Sequence, residues 1–263
     1  MGGTTATVTA TVNMGMTTVT HMAMDTTITT EPAPAALSVG ALLPLMWLAS
    51  PALPVGGFSY SEGLEAAVDA GLVHNEPSAA TWLVAQLHLA QARSELAVVA
   101  AALPAWRGQD WPRLQELDAW VRHTRETAEG RLQTEQMGRS VVEWLRTLGL
   151  GLPEGCPIAL QHPTLPVAYA LALALRTPAQ TPVELGLTAC AFGWAENMVQ
   201  AAIKAVPLGQ GAGQRILAQL CEHIPPAVQT ALASTDHTRQ AYSPMLAILS
   251  AQHETQYSRL FRS

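Results

Sequence analysis

The sequence predicts an all-α protein, a single-domain bundle of about eight to ten helices. Composition, spacing and element order carry that prediction. Ala and Leu dominate, and β-branched or aromatic-rich runs are scarce. Apolar residues recur at helical spacing, with no strand–helix alternation and no internal repeat. Of the 263 residues 49% are hydrophobic and only 13% charged, about half the usual charged share of roughly 25%. The chain is long enough for a sizeable core, and so sparsely charged a surface points to cover by a partner.

Residues 1–36 are rich in Thr, Met and Ala, lack periodicity and end in Glu31-Pro-Ala-Pro34. They read as a disordered extension, with residues 37–263 as the helical domain. Met14, Met16, Met22, Met24 and His21 read as incidental rather than as a metal site. Helical signals begin at Leu42. Ser50 to Glu65 then interrupts them with two prolines, the Gly56-Gly57 pair and the aromatics Phe58 and Tyr60. Proline fixes φ and glycine permits φ > 0, so this bend holds a particular surface in place. It contains no metal-ligand set and no nucleophile–base pair, which suggests recognition rather than chemistry.

Residues 79–103 carry a heptad seam, with Trp82, Leu89, Leu96 and Leu103 at one position and Ala85, Ala92 and Val99 at the other, as expected of a long buried helix. His88 lies beside the seam. Residues 112–148 read as one long helix or two in line, opened by Pro112. Their charges alternate through Asp118, Arg122, Glu126, Arg131, Glu135, Arg139 and Glu143. Such pairs add a few tenths of a kcal/mol each as solvated support. Gly130 and Gly138 each cost about 1 kcal/mol within a helix, so close helix–helix approach is their expected reason. A Gly/Pro loop over 149–163 leads to a short apolar helix ending near Arg176. Thr181-Pro-Val-Glu184 reads as a capping box opening a helix that stops at Pro207. Residues 208–213 read as a glycine-rich turn, Pro225-Pro226 as the end of the next helix, 230–243 as mobile, and Pro244 as the start of the last helix.

Charge and motif content exclude several function classes. No Lys or Arg precedes Arg93, and residues 93–263 hold 14 basic and 14 acidic groups. No basic patch therefore exists to neutralise phosphates, and nucleic-acid binding is not expected. The longest apolar stretch, Leu165–Leu175, falls short of the about 20 residues a membrane span needs, and the start lacks the charge of a secretory or transit signal. A cytoplasmic protein is expected. Cys156, Cys190 and Cys221 are odd in number and far apart, and read as buried free thiols. Gly209-Gln-Gly211-Ala-Gly213 follows a helix rather than a strand, and the only lysine, Lys204, lies upstream, so no phosphate loop forms. Gly57-Phe-Ser59-Tyr-Ser61 misses the nucleophile elbow, and His253-Glu254-Thr-Gln-Tyr257 misses the zinc motif at its second ligand. No enzyme activity and no cofactor are expected. Cys221 and His223, with His74, leave direct metal-ion binding as an alternative.

The tail from His253 to Ser263 places Tyr257, Arg259, Leu260, Phe261 and Arg262 at the very end. Tyr and Arg are enriched in binding hot spots. The tail therefore reads either as a partner-binding segment or as a terminal element docking on its own core.

Three segments give the chain a resemblance to the UreF family of urease accessory proteins: Leu53-Pro-Val-Gly-Gly-Phe-Ser-Tyr-Ser-Glu-Gly-Leu-Glu65, Asn197 through Gln214 with Lys204-Ala-Val-Pro-Leu-Gly-Gln210, and His253-Glu-Thr-Gln-Tyr-Ser-Arg-Leu-Phe-Arg-Ser263. A weaker fourth runs from Arg125-Glu-Thr-Ala-Glu129 to Gln136-Met-Gly138. Coverage extends from about Leu42 to the end. Glu62 departs from the His or Gln expected in many relatives. The resemblance implies a homodimeric all-α adaptor that binds UreD (UreH in some organisms) and the GTPase UreG, and so helps deliver nickel to apo-urease. GTP chemistry would belong to UreG. It further implies that Glu65 and Lys204 face a partner and that the tail becomes ordered against UreD. The expected partner-binding residues are Gly56, Gly57, Phe58, Tyr60, Glu65, Lys204, Pro207, Gln210, His253, Glu254, Tyr257, Arg259, Leu260, Phe261 and Arg262.

Overall fold

Ala/Leu-rich stretches punctuated by Pro, Gly and capping residues fold as helices throughout the part that the computed structural model describes, residues 39–263. The expectations for residues 1–36 lie outside the described residues. The α-helices are α1 (Val39–Ala49), α2 (Leu64–Asp69), α3 (Glu76–Gln86), α4 (Leu96–Gly108), α5 (Trp111–Thr124), α6 (Ala128–Thr147), α7 (Leu165–Arg176), α8 (Val183–Ala205), α9 (Gln210–Ala233) and α10 (Pro244–Glu254). Among the described residues no strand occurs, as the sequence predicts. One continuous core joins them: α4 packs on α7, α8 on α9, α6 on α7 and α1 on α8.

The predicted heptad seam holds over only half its length. A π-helical segment, Leu87–Glu95, joins α3 to α4 in a single rod. Leu96, Leu103, Ala92 and Val99 are buried as expected, but Leu89 is exposed and Trp82 only half-buried. Upstream, Ala79, Leu83 and Leu87 occupy the core instead. A π turn closes its hydrogen bonds one residue later than an α turn, so it rotates the buried stripe and breaks a fixed seven-residue register.

The 112–148 stretch is two helices, each capped from its own side chain. Asp110 Oδ1 accepts from Arg113 N–H, and Thr127 Oγ1 from Gly130 N–H. Gly130 thus serves an N-cap rather than a helix contact. Gly138 is the close approach: a Cβ there would lie 2.8 Å from the Thr164 carbonyl carbon at the start of α7. The charged face is not simply solvated. Arg122 pairs with buried Asp118 at 3.0 Å and reaches Glu135 on α6, while Asp118 Oδ1 accepts from Thr164 N–H at 2.6 Å.

Further corrections concern helix ends and thiols. Pro182 precedes α8, but no capping box forms: the Thr181 hydroxyl has no partner, and Glu184 accepts from Gln229 at 2.8 Å. The glycine-rich turn is shorter than expected, because α9 begins at Gln210 and Gly213 packs against Ile203 of α8. Pro225 and Pro226 lie inside α9, which continues to Ala233. Each proline costs about 3 kcal/mol in an isolated helix. Burial of Ile224 just before the prolines, and of Ala227, Val228 and Ala231 after them, opposes that cost. The three cysteines are free, but Cys221 is exposed and the other two half-buried.

Two predictions follow from this packing. Gly138→Ala should destabilise by about 1–3 kcal/mol despite its better helix propensity, because the added methyl meets backbone. A shift of the urea midpoint to lower concentration checks it. His88 on the π segment and His223 on α9 approach at 3.1 Å between Nε2 and Nδ1. Burial, then His223 and Arg93, hold His88 below the ordinary histidine value of 6.5. The unfolded chain therefore takes up the proton first. The associated stability is present above pH 6.5 and is lost as pH falls through the folded value. His88→Gln should flatten that acid-side loss in melting temperature against pH.

Candidate functional site

The bend between α1 and α2 is held on three sides. Leu53 N–H donates to Ser50 O at 3.0 Å, and Gly56 and Gly63 both adopt positive φ. A short 3₁₀ turn spans Gly57–Ser59. Gly57 packs against Asn197 of α8, and a Cβ at Gly63 would lie 2.9 Å from Leu246 of α10, so neither position accepts a side chain without movement. Tyr60 is buried, its hydroxyl donating to Gln136 Oε1 of α6 at 2.7 Å. Phe58 points outward and is exposed.

The tail closes over this bend. Arg262 N–H donates to Ser59 O at 2.8 Å, and Ser61 donates to Ser263 O through both its N–H (2.7 Å) and its Oγ (2.6 Å). Glu65, in the first turn of α2, takes the next contacts. Its Oε1 accepts from Leu260 N–H at 2.7 Å and its Oε2 from Phe261 N–H at 3.0 Å. The same Oε2 lies 3.2 Å from Nε2 of His253, whose Nδ1 lies 2.7 Å from Glu129 Oε2 on α6. Arg259 completes the group on Glu129, and Glu254 Oε1 accepts Glu129 N–H at 3.0 Å in the first turn of α6. Two carboxylates, one imidazole and two backbone amides thus clamp α2, α6, α10 and the tail together.

This geometry changes the expected role of several residues. Glu65, 7% exposed, His253, 0% exposed, and Phe261 are turned inward rather than presented on the surface. A carboxylate here satisfies two tail amides that burial would otherwise leave unpaired. The tail docks on its own core, and only some of its side chains remain outside. Tyr257 is fully exposed at 105% and Leu260 is 69% exposed; Arg259, Arg262 and Glu254 are exposed as well. Lys204 is exposed and sits over the Phe261 ring at 5.9 Å. Pro207, in the α8–α9 turn, and Gln210, at the start of α9, are exposed. The structure therefore gathers Phe58, Lys204 and the outward tail residues around one buried clamp.

Sequence reasoning missed Glu129, Gln133, Gln136 and Ser263 as parts of this assembly. Gln133 accepts from Ser263 Oγ at 2.8 Å. Glu129 and Gln136 lie within the fourth motif segment and Ser263 ends the third, which were the available signals. Among the described residues, no group of three or more His, Cys, Asp or Glu is arranged to hold a metal ion. Of the alternative nickel ligands, His223 hydrogen-bonds His88, and Cys221 and His74 are exposed. No helix among the described residues is long and apolar enough to cross a membrane.

Glu65→Ala should release the tail without unfolding the bundle. Losing one charge-assisted hydrogen bond of ~1.5 kcal/mol corresponds to about tenfold faster amide exchange. Hydrogen–deuterium exchange at Leu260 and Phe261 should rise at least that much, with helical circular dichroism retained. Unchanged protection would contradict the clamp.

The comparisons agree with the family that the sequence resembles. The UreF family model matches residues 73–221. A urease accessory protein UreF from Paracidovorax citrulli is 63% identical over 235 residues, covering 88% of this chain and 92% of that protein. A urease accessory protein UreF from Polaromonas sp. is 59% identical over 230 residues, covering 87% and 97% respectively. A bifunctional urease accessory protein UreEF from Bordetella bronchiseptica is 44% identical over 245 residues, which are 91% of this chain and 56% of that protein. With the family model matching more than half of this chain, and the Paracidovorax and Polaromonas relatives this similar over more than nine-tenths of their own lengths, the chain belongs to the UreF family.

Proposed function

We propose that this chain is a urease maturation factor: a cytoplasmic, homodimeric adaptor that binds UreD(UreH)-like and UreG-like accessory proteins. Through them it supports GTP-dependent nickel insertion into apo-urease. It contributes surface rather than catalysis, and nucleotide hydrolysis belongs to the UreG-like partner. The observation that carries this reading is the exposed set around the clamp. Tyr257 and Leu260 project from a tail whose backbone is fastened to buried Glu65. Large apolar side chains held rigidly in water lose little entropy on docking, which favours their use as binding anchors. The names of the relatives support the urease assignment, and the bifunctional Bordetella relative supports joint action with other accessory functions.

Because Tyr257 and Leu260 face solvent, Tyr257→Ala and Leu260→Ala should leave stability within about 0.5 kcal/mol. The double variant, used as bait, is expected to lose capture of the UreD-like protein. Capture at the unsubstituted level, with the melting temperature unchanged, would remove the tail from the interface. Lys204→Ala should separately weaken capture of the UreG-like protein, and normal urease activation in that variant would count against this role.

A further inference from the structure

Behind the bend lies a cavity of about 220 Å³, walled by Leu53, Val99 and Met198 on its apolar side and reaching Glu62 on its polar side. Glu62 is a non-glycine residue at φ +50°, in the left-handed region, where bulky side chains are uncommon. Its carboxylate accepts from Trp194 Nε1–H at 2.9 Å, from Gln133 Nε2–H at 3.0 Å and from Gln91 Nε2–H at 3.5 Å. All three donors are neutral. Arg125 also lines the cavity, but its guanidinium is committed to Glu95. Glu62 therefore has no cationic side chain hydrogen-bonded to it. Burial raises its carboxyl above the ordinary value, opposed by the Trp194 and Gln133 hydrogen bonds and by Arg125 and reinforced by Glu95, so a cation bound beside it would stabilise the carboxylate against the neutral acid.

A second observation points the same way. Ser94 lines the same cavity, is 3% exposed, and its Oγ has no hydrogen-bond partner. Buried polar side chains are usually paired, so an unpaired hydroxyl lining the same cavity as a buried carboxylate marks a place for a hydrogen-bond donor. A group carrying a positive charge and several N–H donors satisfies both, and an apolar wall suits a short hydrocarbon stem.

We propose that this cavity is a guanidinium-binding site, in which Glu62 is the counter-ion, Ser94 Oγ accepts a further N–H, and the Leu53–Val99–Met198 wall covers the stem. The guanidinium comes either from a free small molecule or from an arginine side chain of a bound protein. Recognition is identical in the two cases, and it does not depend on the urease reading.

Calorimetric titration of the full chain with methylguanidinium, against the neutral isostere methylurea, tests the assignment. Methylguanidinium should bind at least about tenfold more tightly, a difference of ~1.4 kcal/mol. Glu62→Gln keeps the side-chain shape and should abolish that preference, and Ser94→Ala should weaken methylguanidinium several-fold. Absence of methylguanidinium binding, equal affinity for methylurea, or an unchanged preference in Glu62→Gln would each overturn the proposal. Capture assays then separate the sources. Weaker capture of a UreD-like or UreG-like protein by Glu62→Gln identifies a partner arginine, and unchanged capture alongside lost methylguanidinium binding identifies a free compound.

Discussion

The buried carboxylate of Glu65 organises the region on which the rest of the surface depends. It accepts two consecutive backbone amides of the tail, at Leu260 and Phe261, and faces His253 at 3.2 Å. A carboxylate withdrawn from water is costly unless its lone pairs are filled, and here three donor atoms surround it. Because those donors belong to α10 and the tail, satisfying Glu65 requires the end of the chain to return to its beginning. Arg262, Ser263 and Phe261 are placed as a consequence, and with them the outward positions of Tyr257 and Leu260.

The π segment plays a comparable part at the cavity beside the bend. By rotating the rod at Leu87–Glu95, it brings Gln91, Ser94 and Glu95 to the cavity and sets His88 against His223. A regular α-helix over the same residues would keep Leu89 in the core and these polar groups elsewhere. Departures from regular helix geometry recur at functional sites because they re-aim a few side chains without unfolding the element. Clamp and cavity are contiguous: Ser263 bonds Gln133 through its hydroxyl, and Gln133 donates to Glu62.

Much of the helical architecture is legible in the residues, and the exceptions share a cause. Pro244 does open α10, the apolar helix does end at Arg176, and Gly138 does mark a close approach to α7. These are local signals, carried by one residue type at one place. Pro225-Pro226 misled because buried Ile224 and Val228 sustain α9 through a break that local propensity would enforce. The heptad seam misled because periodicity assumes one turn geometry throughout. Glu65 and His253 misled in another way: charged or polar residues in motif-rich segments read as surface, while here they fill each other's hydrogen-bonding needs inside the protein.

Composition, helical spacing and four short segments were thus enough for the all-α class and the family, and they named residues for a partner-facing role. They could not say which of those residues face water. Pairing of Glu65 with Leu260 spans 195 positions, and that of His253 with Glu129 spans 124. No local pattern encodes a hydrogen bond between groups so far apart in the chain. The inward turn of Glu65, the outward turn of Tyr257 and the neutral donors around Glu62 were settled only when the helices packed. Burial makes each unpaired donor or acceptor expensive, and packing determines which partners are within reach.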